Sequence, residues 1–286
     1  MYIVLGGTGR VGSALTRELL ARGETVTVIS HDPDKREDWE RRGAAFALAD
    51  VGDTQALREI FGRGRRLFLL NPPAPQDTDT DAVEKAGVRS IVDALHGSRL
   101  ERIVAESTYG AQPVQRAGDL GVLYDLEQAL RLQPIAHRAI RAAYYMSNWD
   151  AALDTARERG VVESFFPTDF LLPMVAPQDL GLAAADLLTA AEIEREPLYV
   201  EGPRRYCPAD VASCFASALN RSVEVEVVPR ERWVERFREL GFSQPGAESY
   251  ARMTALTLDQ GSHAASEPRR GETGLREYID ALAGVD

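Results

Sequence analysis

The sequence predicts an α/β fold: a doubly wound parallel sheet with helices on both faces and a smaller C-terminal α+β lobe. Three observations predict it. The apolar run Met1–Leu5 leads straight into Gly6-Gly7-Thr8-Gly9-Arg10-Val11-Gly12, after which Val11, Leu15, Leu19 and Leu20 recur at helical spacing. Strand-like and helix-like segments then alternate as far as Ile140, the order that gives a parallel sheet clothed by helices. The 286 residues, 44% hydrophobic and 27% charged, suit one large domain or two modest ones. A strand, a glycine turn and a helix in that order make the first part Rossmann-like.

The elements follow in order. Thr25–Ile29 is a β-branched strand that stops before His31-Asp32-Pro33. Ala45–Leu48 is a strand leading to Asp50, and Thr54–Phe61 has helical periodicity. Leu67–Leu70 is an apolar strand ended by Asn71-Pro72-Pro73, and a helix is expected over Thr80–Leu95. Arg102–Ala105 reads as the fifth strand, Tyr124–Leu132 as part of the next helix, and Ile135–Ile140 as another strand. Beyond Trp149 the alternation loosens: helices at Ala151–Arg159, Pro177–Ala191, Pro208–Leu219 and Arg230–Leu240, with strands at Val161–Phe166, Leu198–Glu201 and Val223–Val228. Pro245–Gly271 reads as mixed helix and loop, and Leu275–Leu282 as a closing amphipathic helix. The expected division is a nucleotide-binding unit over residues 1–150, rejoined by 177–195, and a mainly substrate-binding lobe over 151–286.

Composition narrows the function. A net charge of −11 argues against nonspecific nucleic-acid binding and against an anionic membrane surface. No apolar stretch is long enough to span a bilayer, and glycines and Arg10 interrupt the first apolar run as no cleaved leader would, so a cytoplasmic location is the expectation. Cys207 and Cys214 fall in one expected helix, too far apart for a disulfide. The four histidines show no metal-ligand spacing, so no metal site is expected, and His137 reads as a core histidine. Nothing in the sequence decides the oligomeric state.

The glycine turn carries the most chemistry. Gly6 permits a tight turn, Gly9 lets a diphosphate approach the backbone, and Gly12 lets helix and strand pack closely. The helix that follows offers unpaired N–H groups and its positive dipole end to that diphosphate.

Further segments join the turn in a family pattern: His31-Asp32-Pro33-Asp34-Lys35, Ala49-Asp50-Val51, Leu69-Leu70-Asn71-Pro72-Pro73, Ala86-Gly87-Val88, Arg141–Trp149 and Pro177-Gln178-Asp179-Leu180-Gly181. Together they resemble the NmrA-like group of atypical short-chain dehydrogenase/reductases, across nearly the whole chain. That group includes NAD(P)H:quinone oxidoreductases, triphenylmethane-reductase-like enzymes, ergot-alkaloid-type reductases and cofactor-sensing regulators without catalysis. The resemblance implies a bound NADP, with NAD the alternative, and a small-molecule substrate. Gly6, Thr8, Gly9, Arg10 and Val11 would meet the diphosphate, Asp50 and Val51 the adenine, Asn71 and Pro72 the ribose and diphosphate side, and Gln128 a ribose hydroxyl. NAD needs a carboxylate at the end of the second strand and NADP needs cations. That strand ends Ile29-Ser30-His31, and Arg10, Lys35 and Arg36 could converge on a 2′-phosphate with His31 beside them, which favours NADP.

In the wider superfamily, carbonyl reduction uses Tyr-x-x-x-Lys, one helical turn apart, the ammonium lowering the tyrosine pKa. Here the pattern is Tyr124-Asp125-Leu126-Glu127-Gln128, with the lysine gone. Ser107, Thr108 and Tyr109 are expected just after the fifth strand, near the nicotinamide; Ser107, Thr108 and Tyr124 are the catalytic candidates. Tyr109, Tyr144, Tyr145, Met146 and Phe166 are the substrate-binding candidates, flat side chains suited to stacking. The expected function is an NADPH-dependent oxidoreductase passing hydride to a flat apolar acceptor such as a quinone, an enone or a natural-product intermediate. The alternatives are a non-catalytic NADP(H)-sensing regulator, motivated by Gln128, or an isomerase or cyclase on the same fold.

Overall fold

A computed structural model describes residues 1–285. Its first half is one continuous βα winding: β1 (Tyr2–Leu5), α1 (Arg10–Ala21), β2 (Val26–Ser30), α2 (Arg36–Arg41), β3 (Ala45–Leu48), α3 (Thr54–Phe61), β4 (Arg66–Leu69), α4 (Thr80–Leu95), β5 (Arg102–Thr108), α5 (Asp119–Arg131) and β6 (Ala136–Ala142). Local chemistry starts the helices. Asp53 accepts the Ala56 amide at 2.9 Å to cap α3, and Asp79 accepts that of Ala82 at 3.3 Å to cap α4.

The second half mixes a lobe with a return to the sheet: β7 (Tyr144–Tyr145), α6 (Ala152–Arg159), β8 (Val161–Ser164), β9 (Leu172–Val175), α7 (Pro177–Thr189), β10 (Leu198–Glu201), β11 (Arg205–Tyr206), α8 (Pro208–Leu219), β12 (Glu224–Val227), α9 (Trp233–Glu239), α10 (Gln244–Gln260), β13 (Arg269–Arg270) and α11 (Leu275–Ala283). The main sheet has eight strands in the order β13-β10-β6-β5-β4-β1-β2-β3, with every paired register parallel. The order reverses between β1 and β4, and ligands of such sheets bind at the strands' carboxyl ends beside that switch. The lobe is built on two small sheets, β11-β9-β7 and β12-β8.

Period-two alternation places the two cores. Val4 and Val104 point to one face, where they meet Leu15 and Leu19 of α1 and Leu180, Ala184 and Leu188 of α7. Ile3, Leu5, Leu67, Leu69, Ile103 and Ala105 point to the other, under Leu57, Ile91 and Leu126 of α3, α4 and α5. Helices α1 and α7 pack closely because Gly181 has no side chain; a Cβ there would lie 2.7 Å from both Ala14 Cβ and the Leu15 amide. Arg102, buried in β5, donates to the carbonyls of Leu187 and Ala191 at 3.0 and 2.9 Å and so ties the end of α7 to the sheet.

Several expectations need correction. β5 runs on through Thr108, so Ser107 and Thr108 are its last residues and not a loop after it. The stretch expected as mixed helix and loop begins with the 17-residue α10, capped by Ser243, whose hydroxyl accepts the Gly246 amide at 3.0 Å. Strand β9 carries a proline, Pro173, and was not legible. The sheet takes back β10 and β13 as well as the helix within 177–195. Cys207 is the N-cap of α8 and lies outside it; Cys214 is buried within it, and both are free thiols. Among the described residues no helix is long and apolar enough to cross a membrane.

Candidate functional site

The site lies at the carboxyl ends of β1, β2, β4, β5 and β6. Gly6 has φ +73°, a left-handed conformation that favours glycine, and a Cβ on Gly12 would lie 2.2 Å from the Gly6 carbonyl oxygen. Gly9 caps α1 with no side-chain hydrogen bond, and the first turn of α1 holds no acid. The leading amides of α1 and its dipole are thus left to whatever anion lies before them. These features fit a dinucleotide diphosphate: a cradle bare of side chains, too tight for a Cβ at Gly12, closed by an uncapped helix end.

The end of β2 stands beside it. Thr8 Oγ1 lies 3.1 Å from Ser30 Oγ, and Ser30 accepts the Asp32 amide at 3.1 Å. Asp32 accepts the Asp34 amide at 3.0 Å, so this carboxylate caps the short turn Pro33–Lys35. His31 and Lys35 are exposed, and Lys35 makes no ion pair among the described residues. The expected convergence of three cations does not form. Arg10 reaches across to Asp150, 2.5 Å away, and Arg36 lies over the Phe46 ring and pairs with Glu40.

Asp50 accepts the Gly52 amide at 2.8 Å, with Val51 half-buried beside it. Asn71 donates to the Glu84 carbonyl at 3.2 Å, while its own Oδ1 is buried without a partner in the space that Gly87 leaves open. Pro72 is half-buried next to it. The Glu84 carboxylate accepts the Ala74 amide at 3.0 Å and anchors the proline-rich loop.

The catalytic candidates separate. Ser107 is buried and donates to Glu127 Oε1 at 2.6 Å. Glu127 in turn receives two hydrogen bonds from Arg141, at 2.9 and 2.8 Å, and Arg141 donates to the Tyr199 hydroxyl at 2.9 Å. Burial would lower the Arg141 pKa, but its bonds to Glu127 and the charge of that carboxylate hold it above the ordinary guanidinium value. Ser107 therefore belongs to a buried clasp between β5, α5 and β6. Thr108, Tyr124 and Gln128 are half-buried. One of the chain's two lysines, Lys85, pairs with Asp125 at 3.2 Å, next to Tyr124 on α5.

The substrate-binding candidates divide as well. Met146 has no exposed surface and Phe166 is packed among Met174, Phe215 and Trp149, so the lobe core claims both and leaves neither a face for a ligand. Tyr109 is buried edge-on against Tyr199, ring centres 5.0 Å apart. Tyr144 and Tyr145 keep part of their surface. Burial pushes the Tyr144 phenol up to about 12. His137 is buried with Nδ1 3.0 Å from the Ile135 carbonyl oxygen.

A group of carboxyls at the same strand ends escaped the sequence reading. Glu106 is 4% exposed, accepts a hydrogen bond from the Tyr145 hydroxyl, and has its second oxygen unpartnered. Desolvation pushes it up to about 7, with Asp119 adding and Tyr145 opposing. Glu84 is raised to about 8 by desolvation and then by Asp119. Asp119, at the first position of α5, is raised to about 6 by desolvation of its carboxyl, with Asp81 adding. The one available signal was a glutamate closing the apolar run Ile103-Val104-Ala105. No group among the described residues forms a metal-holding set of histidine, cysteine or carboxylate.

Raised carboxyl pKa values set a pH dependence of stability. Each folded pKa lies above its unfolded value of about 4. The folded state therefore holds more protons between the two, so the stabilisation is complete below about pH 4 and is lost as pH rises through the folded values of 6 to 8. The melting temperature is expected to be higher at pH 5.5 than at pH 8.5, and Glu84→Gln to flatten the difference. Equal melting temperatures at both pH values would contradict this.

Comparison with known proteins adds ancestry to the geometry. A family model described as NAD(P)H-binding matches residues 6–149. The chain is 23% identical to an NAD(P)H azoreductase of Xenophilus azovorans over 260 residues, 90% of this chain and 87% of that one. It is 24% identical to a nitrogen metabolite regulation-like protein of Gibberella fujikuroi, over 96% of this chain and 90% of that one. Among solved structures, a triphenylmethane reductase from Citrobacter sp. superposes with a TM-score of 0.83 at 17% identity, and an NADPH-dependent quinone oxidoreductase from Escherichia coli with 0.78 at 19%, each covering 99% of both chains. At those identities the superpositions speak for the fold.

Proposed function

Because the chain belongs to the NAD(P)H-binding family, as an NmrA-like atypical short-chain dehydrogenase/reductase, we propose that it is an NADPH-dependent reductase of a flat, largely apolar acceptor. The observation that carries the reading is the bare Gly6–Gly12 cradle in front of an uncapped helix at the switch point of the sheet. When bound, NADPH supplies the hydride. The protein supplies position and surroundings. Gly6 and Gly9 let the diphosphate approach the backbone and the Thr8 and Val11 amides hold it, the Gly9 amide being donated to the Gly6 carbonyl at 3.0 Å. Lys35 gives the 2′-phosphate its cation and the exposed His31 ring a hydrogen-bond donor beside it, while Asp32 is held in its cap. Asp50 and Val51 flank the adenine, Asn71 and Pro72 the ribose side, and Gln128 takes a ribose hydroxyl. Thr108, Tyr124, Tyr144 and Tyr145, each half-buried, are the candidates left to meet the acceptor. Relatives whose names specify azo, quinone or triphenylmethane reduction support an acceptor that takes hydride readily.

The test is direct. Thermal shift with NADPH beside NADH is expected to show a rise with both and a larger one with NADPH. Purified protein is expected to oxidise NADPH in the presence of a quinone. Binding without oxidation across quinones, enones and dyes would favour the second reading, an NADP(H)-sensing regulator, which the loss of the catalytic lysine at Gln128 and the likeness to a regulation-like protein support.

A further inference from the structure

The geometry points to Tyr145 and Glu106 as a proton relay: Tyr145 gives its hydroxyl proton to the acceptor, and Glu106 replaces it. The inference rests on the reductase reading and supplies what that reading lacks, a proton source. The superfamily tyrosine has lost its lysine, and Ser107 is turned away into the clasp with Glu127.

Four observations carry it. Tyr145 is hydrogen-bonded through its hydroxyl to Glu106, although β5 and β7 place them 39 residues apart. Tyr145 is half-buried at the strand ends, whereas Glu106 is almost wholly buried, so the pair joins an interior carboxyl to a residue that keeps some surface. Glu106 Oε2 is buried and has no donor, an arrangement that disfavours a permanent carboxylate and suits a carboxyl that gains and loses a proton. The charges around it work in the same direction. Asp119 of α5 and, behind it, Asp81 and Glu84 of α4 are all acidic, while Arg141 of β6, the nearby cation, is committed to Glu127 and Tyr199. Tyr250 of α10 faces the same acids, Tyr109 and Tyr199 pack against each other, and Glu201 of β10 pairs with Arg205 and Arg270.

The step balances. The reducible bond of the acceptor gains a hydride from NADPH at one atom and the Tyr145 proton at the other, so NADPH is oxidised and the acceptor reduced. As the Tyr145 O–H bond breaks, its oxygen takes the proton of Glu106, and one solvent proton restores Glu106 on the Asp119 side. Because protonated Glu106 is the competent form, turnover of a proton-requiring acceptor falls as pH rises through about 7.

Two acceptors separate the relay from a merely structural role. A quinone takes a hydride and a proton; a triarylmethane cation such as malachite green takes a hydride alone. The full-length wild type, Glu106→Gln and Tyr145→Phe are each assayed with NADPH and both acceptors from pH 5.5 to 9. Both variants are expected to lower the quinone rate about 100-fold relative to the dye rate. Glu106→Gln is also expected to remove the alkaline decline. A second readout needs no turnover: without cofactor, the wild-type minus Glu106→Gln infrared difference should hold a protonated-carboxyl stretch that titrates near neutrality, the Glu84 and Asp119 bands being common to both proteins. An NADPH-induced melting shift in each variant certifies the fold. Should Glu106→Gln fail to fold, Tyr145→Phe assayed on both acceptors still decides. Equal losses on quinone and dye, or an infrared difference spectrum without that stretch, would overturn the relay while leaving the reductase reading intact. Wild type that oxidises NADPH with neither acceptor would overturn both.

Discussion

Gly12→Val is expected to abolish the NADPH-induced melting shift and to lower the melting temperature of the protein without cofactor. A Cβ at Gly12 would meet the Gly6 carbonyl oxygen at 2.2 Å and the Gly6 carbonyl carbon and Gly7 Cα at 2.8 Å. All three are backbone atoms of the cradle and cannot rotate away. Helix α1 cannot retreat either, because α7 lies against its other side with Gly181 allowing no gap at Ala14 and Leu15. The strain must open the turn or part α1 from β1, at about 1–3 kcal/mol in stability and a Kd for NADPH raised by about 100-fold or more. Gly9→Ala separates the two effects. Its Cβ would meet only the Gly6 carbonyl oxygen, at 3.3 Å, so the fold should survive while the diphosphate loses its close approach. A Gly12→Val protein that melts and responds to NADPH like the wild type would contradict the assignment of this turn.

Arg141→Met is expected to destabilise the protein by about 3–5 kcal/mol in urea unfolding at neutral pH. The side chains of Arg141 and Glu127 are 15% and 4% exposed, and the guanidinium makes hydrogen bonds to both carboxylate oxygens. Removing it leaves a buried carboxylate with only the Ser107 hydroxyl for company. The double variant Glu127→Gln with Arg141→Met should recover part of the loss, since no buried charge then remains. A loss below about 1 kcal/mol, the range of an exposed pair, would mean that the clasp is not holding β5, α5 and β6 together. Its position gives the clasp functional weight: it fixes the end of β5, on which Glu106 and Thr108 stand.

Much of the fold was legible because its signals are local. Helices α3, α4 and α8 lie where apolar periodicity places them, and β3 and β10 match their apolar runs. The same holds for the glycine turn, whose geometry depends on residues that touch each other within seven positions. Legibility failed where a side chain's partner is distant. Arg10 looks like a phosphate ligand until Asp150, far along the chain, comes across to it, and Met146 and Phe166 look like pocket walls until the lobe core encloses them. Strand β9 hides behind Pro173, which reads as a break but sits in a short sheet where β11 and β7 supply its partners.

By itself the sequence determined the βα winding, the phosphate cradle and the family, since each rests on neighbouring residues and on backbone freedom written into glycine. Only the tertiary structure decided which carboxylates are solvated and which are dry. Glu106, Glu127 and Glu84 are indistinguishable as letters, yet one meets a tyrosine, one an arginine and one a loop amide. A carboxyl's protonation depends on the water it loses and the charges it faces, and both are properties of the packed chain.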